Sequence, residues 1–127
     1  MKGHFMKGYV DLYLLAVPKK NLAAYRQIAR RFGEIVAEYG ALEYREFLAD
    51  ELKSKFSPGF DKLLKLKPGE VMIFSAVEFR SKKHRNDVNK KAFHDPRMQE
   101  MAKMKPLFDK KRIHYAGFAT FVKMSPR

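Results

Sequence analysis

Glu70-Val-Met-Ile-Phe-Ser-Ala-Val-Glu-Phe-Arg80 is apolar at almost every position, with Met72, Phe74 and Ala76 on one parity and Val71, Ile73 and Val77 on the other. Such a run predicts a strand covered on both faces. Pro68-Gly69 before it is a turn signal. Ser81 after it is a cap for a helix reaching about His94, where Asp95-Pro96 stops it. The strand is therefore the centre of a larger sheet, and the rest of the chain must supply its covering layers.

Moving towards the N-terminus, residues 49–69 form a long connection with a further turn at Pro58-Gly59. Its Phe56, Phe60, Leu63, Leu64 and Leu66 predict packing against the body. Before it, Ala41 to Leu48 alternates, with Leu42, Tyr44, Glu46 and Leu48 on one face and Glu43, Arg45 and Phe47 on the other, the pattern of a strand. Leu22, Tyr25, Ile28, Phe32, Ile35, Val36 and Tyr39 recur at helical spacing between a candidate N-cap, Asn21, and Gly40 in the left-handed C-terminal position. Tyr9 to Val17 is rich in β-formers and closes at Pro18. On the C-terminal side, Met98, Met101 and Ala102 mark a short helical piece before Pro106, and Met98, Met101 and Met104 read as core fillers. Arg112 to Lys123, with Ile113, Tyr115, Phe118, Phe121 and Val122, is the last strand.

The order β-α-β followed by β-α-β predicts an α+β ferredoxin-like plait (βαββαβ): a four-stranded antiparallel sheet with both helices on one face. The other face is not polar. Val10, Leu12, Leu14 and Ala16 point one way in the first strand, while Tyr9, Tyr13, Leu15 and Val17 point the other. A sheet apolar on both sides needs a second layer, and another copy of the chain supplies one by face-to-face packing, which predicts a homodimer. Residues 1–7 read as an N-terminal extension and 8–127 as one domain.

The chain has 127 residues, 27 Lys and Arg against 14 Asp and Glu, a net charge of +13, 46% hydrophobic residues and no cysteine. The apolar content excludes a disordered basic tail. The missing thiols exclude disulfides, cysteine nucleophiles, iron–sulfur clusters and Cys-based zinc sites. Apolar runs such as Tyr13–Val17 fall far below the roughly 20 residues of a spanning helix, so a cytoplasmic protein without a membrane partner is expected. Histidine spacing offers no metal site, and no Gly-rich phosphate cradle is present, so neither metal nor cofactor is expected.

Several phrases stand in a characteristic order: Tyr9-Val-Asp11, Val17-Pro-Lys-Lys-Asn-Leu22 with Ala24-Tyr-Arg26, Gly40-Ala-Leu-Glu-Tyr-Arg-Glu46 and Lys65-Leu-Lys-Pro-Gly-Glu70. His84-Arg-Asn-Asp-Val-Asn89, Asp95-Pro-Arg-Met98, Phe108-Asp-Lys-Lys-Arg112 and Gly117-Phe118 follow. Together they resemble the bacterial domain-of-unknown-function family 1428, the YbaA-like proteins, over roughly residues 8–123. The departure is Phe108-Asp-Lys-Lys, where a turn glycine is expected. The resemblance implies the dimeric α/β-barrel superfamily, which also holds cofactor-free monooxygenases, haem-degrading enzymes and members with no known chemistry. Fold alone does not choose among these.

Three groups carry candidate chemistry. Asp11, Tyr13, Tyr44, Glu46 and His114 are polar residues inside apolar strands, and a buried carboxylate beside a histidine makes an acid–base pair. His84, between Lys83 and Arg85 at a helix start, is expected to be neutral and able to accept a proton, with Asn89 farther along the same helix. These residues predict a site for a small hydrophobic or aromatic ligand, with Tyr13, Tyr44, Glu46 and Asn89 binding. By analogy with the superfamily's cofactor-free oxygenases, His84, His114 or Asp11 takes the substrate proton. The third group lies in residues 81–111, where ten basic residues face four acidic ones. The alternative reading is a basic module binding RNA or another polyanion through Lys82, Lys83, Lys90 and Lys91. It ranks second, because the aromatic RNA-binding signature of a plait is absent.

Overall fold

In the computed structural model, which describes residues 7–125, the central pair of strands is β1 (Tyr9–Pro18) and β3 (Glu70–Phe79). They run antiparallel from Tyr9 opposite Phe79 to Pro18 opposite Glu70. β2 (Glu43–Leu48) pairs with the far side of β3, and β4 (His114–Ala119) with the far side of β1. The sheet order β2-β3-β1-β4, antiparallel throughout, is that of the ferredoxin-like plait. Residues 1–6, most of the expected N-terminal extension, lie outside the described part.

Both long helices lie on one face. α1 (Leu22–Glu38) follows β1, and α3 (Lys82–Phe93) follows β3. Ile35 and Val36 of α1 meet Val77 and Phe79 of β3 and Val88 and Ala92 of α3, all buried, with Met98 of α4 (Pro96–Ala102) closing the cluster. A second cluster joins Leu15, Val17 and Ile73 to Tyr25 and Ala29 of α1. Each such aliphatic or aromatic side chain contributes roughly 1.5–3 kcal/mol when buried.

α3 and α4 begin at the residues that cap them, whereas α1 does not. Ser81 accepts a hydrogen bond from the His84 N–H at 3.0 Å, as an N-cap should. Asp95 does the same for Arg97 at 2.8 Å. Asn21 precedes α1 without capping it: its side-chain amide donates instead to the Leu107 carbonyl at 2.8 Å, tying α1 to the loop before β4. Gly40, at φ +111°, turns the chain from α1 into β2. Asp109 accepts from the Lys111 N–H at 3.0 Å and closes a short 3-10 turn where the resemblance had led to a glycine. That turn and the short reach of β1 trim the last strand to His114–Ala119 from the expected 112–123, since β1 starts at Tyr9, the partner of Ala119.

The opposite face of the sheet is covered in part by the chain itself. The 49–69 connection, with a one-turn helix α2 (Asp61–Leu64), folds back so that Leu64 packs with Ala16 and Met72, flanked by Leu14, Ala49, Leu52 and Leu66. Arg112 pins its end, donating to Glu70 at 2.6 Å and 3.0 Å and to the Leu64 carbonyl at 3.0 Å. The other end of this face stays open around half-buried Leu12 and exposed Phe47 and Phe118, and Phe47 packs at a tilt against Phe74 at 6.0 Å.

Candidate functional site

The alternation of β1, β2 and β3 turns Tyr13, Tyr44, Glu46 and Ser75 towards the helices. Across from them, the 3.6-residue period of α1 brings Tyr25, Ile28, Ala29 and Phe32 over the sheet. Between the two layers lies a cleft of about 230 Å³, completed by Leu15, Phe93, Phe108 and Ile113. An apolar cavity of about 150 Å³ is enough to take a benzene ring, so the cleft has room for one ring and a short chain. Among the described residues lining it, Glu46 is the one with a formal charge, and no Lys, Arg or His joins it.

Glu46 sits in a hydrogen-bonded array. The Tyr25 hydroxyl donates to its Oε1 at 2.5 Å, and the Tyr44 hydroxyl donates to Oε2. Burial, with the adjacent Glu46 charge behind it, pushes both phenols well above their ordinary pKa, so both keep their protons and act as donors. Tyr44 can lie this close because Gly33 of α1 faces its ring, and a Cβ at that position would overlap the ring atoms. Phe32 packs on the same ring at 5.5 Å. A carboxylate has about four acceptor positions. Two phenols leave Glu46 with acceptor capacity at the edge of an otherwise apolar cleft.

Asp11 belongs to a separate network. It is buried, and Arg85 of α3 donates to it at 2.7 Å, Tyr115 at 2.9 Å and Asn89 at 3.3 Å. Arg85 also stands over the Tyr9 ring at 4.9 Å. The arrangement ties α3 to β1 and β4, and the Asp11 oxygens are engaged within the chain. Tyr13 links the two networks, lining the cleft while packing on Tyr115 at 5.0 Å. Burial first, then the Asp11 and Tyr115 charges, raises its pKa well above the ordinary phenol value.

The two candidate histidines lie away from the cleft. His84 Nδ1 accepts from the Arg80 N–H at 2.9 Å and its ring packs edge-on against Phe79 at 5.9 Å. Burial and the Arg80 charge hold its pKa below the ordinary value, so the neutral form expected from its surroundings is favoured. His114 pairs across the sheet with Leu14, on the face away from the helices, and its Nδ1 lies 3.1 Å from the Arg112 carbonyl. The five polar strand residues thus divide: Tyr13, Tyr44 and Glu46 share the cleft, Asp11 joins α3, and His114 faces the other way.

Lys82, Lys83, Lys90 and Lys91 are exposed on α3. Asp87 sits on the same exposed side and pairs with Lys83 at 3.3 Å. Among the described residues no group of three or more His, Asp or Glu gathers as a metal site, and no helix is long and apolar enough to cross a membrane.

Sequence reading missed Tyr25, Ser75 and Arg85. Tyr25 was absorbed into the apolar stripe of α1, yet a tyrosine on a buried helix face needs a partner for its hydroxyl, and an inward acid such as Glu46 is the natural one. Ser75 breaks the helix-facing parity of β3 between Ile73 and Val77 and was likewise a readable signal. Arg85, 74 residues from Asp11, carried none.

Comparison with known proteins agrees with this architecture. Over 114 residues the chain is 35% identical to the uncharacterized protein YbaA of Escherichia coli strain K12, covering 90% of this chain and 97% of that one, and YbaA of Shigella flexneri matches equally. A crystal structure of a dimeric ferredoxin-like protein from an uncultured marine organism superposes with a TM-score of 0.51 at 6% identity, over 94% of this chain and 99% of the other, which is a likeness of fold. Residues 8–110 match the model of the protein family of unknown function DUF1428, and the chain belongs to that family.

Proposed function

We propose that this protein is a homodimer that binds a small apolar or aromatic molecule in the cleft between α1 and the sheet. The observation that carries the reading is the cleft itself: apolar walls on nearly all sides, with Glu46 and its two tyrosines as the converging polar group. Pockets for small ligands have this composition, with few polar groups fixing orientation inside an apolar shell.

The dimer is supported by the uncovered end of the outer face. Phe47, Phe118 and Val122 are 43%, 51% and 72% exposed in the single chain, more apolar surface in one place than a free monomer ordinarily carries. The fold neighbour from the marine organism is itself dimeric. A cofactor-free oxygenase reaction on an electron-rich substrate would draw on the same cleft, with Glu46 as proton acceptor in place of the fully engaged Asp11.

Methyl-resolved NMR with indole as probe tests the cleft. Saturable shifts at Leu15, Ile28 and Ile113, with Leu12 on the outer face unmoved, are the expected result. Shifts confined to Leu12 and its neighbours would place the probe on the outer face and refute the cleft.

A further inference from the structure

We infer that the occupant of the cleft is an organic cation: a small aromatic or alkyl ammonium whose charged nitrogen meets Glu46 and whose body lies among the aromatic rings. The inference rests on the cleft being a ligand site and adds the chemical class of the ligand.

Three observations converge on it. The cleft presents one carboxylate and, among its described lining residues, no compensating Lys, Arg or His. This occurs in a chain whose net charge is +13, so the missing partner does not reflect a shortage of basic residues. Three acids that tie elements of the fold together have such a partner: Asp11 has Arg85, Glu70 has Arg112, and Asp95 has Arg97. Glu46 has phenols instead.

Those phenols are not a substitute for a cation. Tyr25 and Tyr44 donate one hydrogen bond to each carboxylate oxygen, which orients the group and leaves a second acceptor position on each. A neutral donor pair stabilises the charge without cancelling it, so an anion in an apolar cleft still attracts a positive ligand.

The walls fit the same ligand. Tyr13, Tyr25, Phe32, Tyr44, Phe93 and Phe108 give six rings lining the cleft that holds this one carboxylate. The faces of such rings are electron-rich and attract an ammonium, which is how aromatic cages hold methylated amines. A neutral ligand gains at most a hydrogen bond from Glu46, without the charge attraction. A carboxylic acid is repelled by it.

Phenethylamine, protonated at neutral pH, and its neutral isostere 2-phenylethanol separate the possibilities, with calorimetry and methyl NMR as readouts. Phenethylamine should bind about tenfold or more tightly than the alcohol. Glu46→Gln, checked for an unchanged melting temperature and near-UV circular dichroism, should remove that preference, so that amine and alcohol bind with similar affinity. If Glu46→Gln does not fold normally, raising ionic strength on the natural protein gives a second reading: amine affinity should fall while alcohol affinity holds. Equal binding of both probes would overturn the cation and leave the cleft as a ligand site. Binding of neither would overturn the cleft and the cation together.

Discussion

Arg85 donates to Asp11 at 2.7 Å across the α3–sheet junction, with the Asp11 side chain 1% exposed and that of Arg85 14%. Both charges are removed from water, and each is tolerated because the other is there. Breaking such a pair from one side leaves an uncompensated buried charge and costs about 3–5 kcal/mol. Arg85→Met should therefore lower the urea midpoint strongly, and Asp11→Leu combined with Arg85→Met should recover most of the loss. A single variant within about 1 kcal/mol of the natural protein would show the pair to be solvated in practice.

Gly33 sets two effects against each other. Alanine in a helix interior is favoured over glycine by about 1 kcal/mol. Here its Cβ would run into the Tyr44 ring, and overpacking of that kind costs about 1–3 kcal/mol. Gly33→Ala should lower the melting temperature and weaken phenethylamine binding together, because Tyr44 must leave Glu46. A variant that melts higher with binding intact would mean the ring moves aside freely.

Acid should destabilise the α4 end of the molecule. Asp95 accepts from Arg97 through both oxygens and from Tyr39 at 2.7 Å, and these bonds hold its pKa well below the ordinary carboxylate value. A folded pKa below the unfolded one means that the unfolded chain binds the proton more readily. The contribution is complete above the unfolded value and is lost as pH falls through about 4 towards the folded value. Denaturation profiles from pH 7 to 2 should show this loss, and Asp95→Asn should lower stability at pH 7 while flattening the acid limb. An unchanged acid limb in that variant would assign the pH dependence to other carboxylates.

Leu12 lies at the centre of the open outer face, paired with Ala76 on one side and Ala116 on the other. In the proposed homodimer Leu12→Glu places a charge in the middle of the contact, so sedimentation should shift from dimer to monomer at micromolar concentration while the fold is kept. A natural protein that sediments as a monomer would remove the dimer from the proposed function without touching the cleft.

Legibility in the sequence followed the range of the forces involved. Alternation along β1 and β3, and the helical spacing from Leu22 to Tyr39, are local patterns imposed by strand and helix geometry, so they could be read directly. The same parities put Tyr44 and Glu46 on one face of their strand. They could not show that His114 falls on the face away from the helices, because that depends on its pairing opposite Leu14. Asn21 looked like a cap and became a tie to Leu107, since its amide found a carbonyl 86 residues away.

The order of elements, their apolar faces and hence the plait follow from residue chemistry at neighbouring positions, which is why they were readable before any coordinates. Which polar groups meet was decided by tertiary packing alone. Tyr25 reaches Glu46, Arg85 reaches Asp11, and the 49–69 connection shields one end of the outer face, because strand register and helix placement bring together groups far apart in the chain. A buried polar atom takes whichever partner the folded layers deliver to it, and no local pattern encodes that choice.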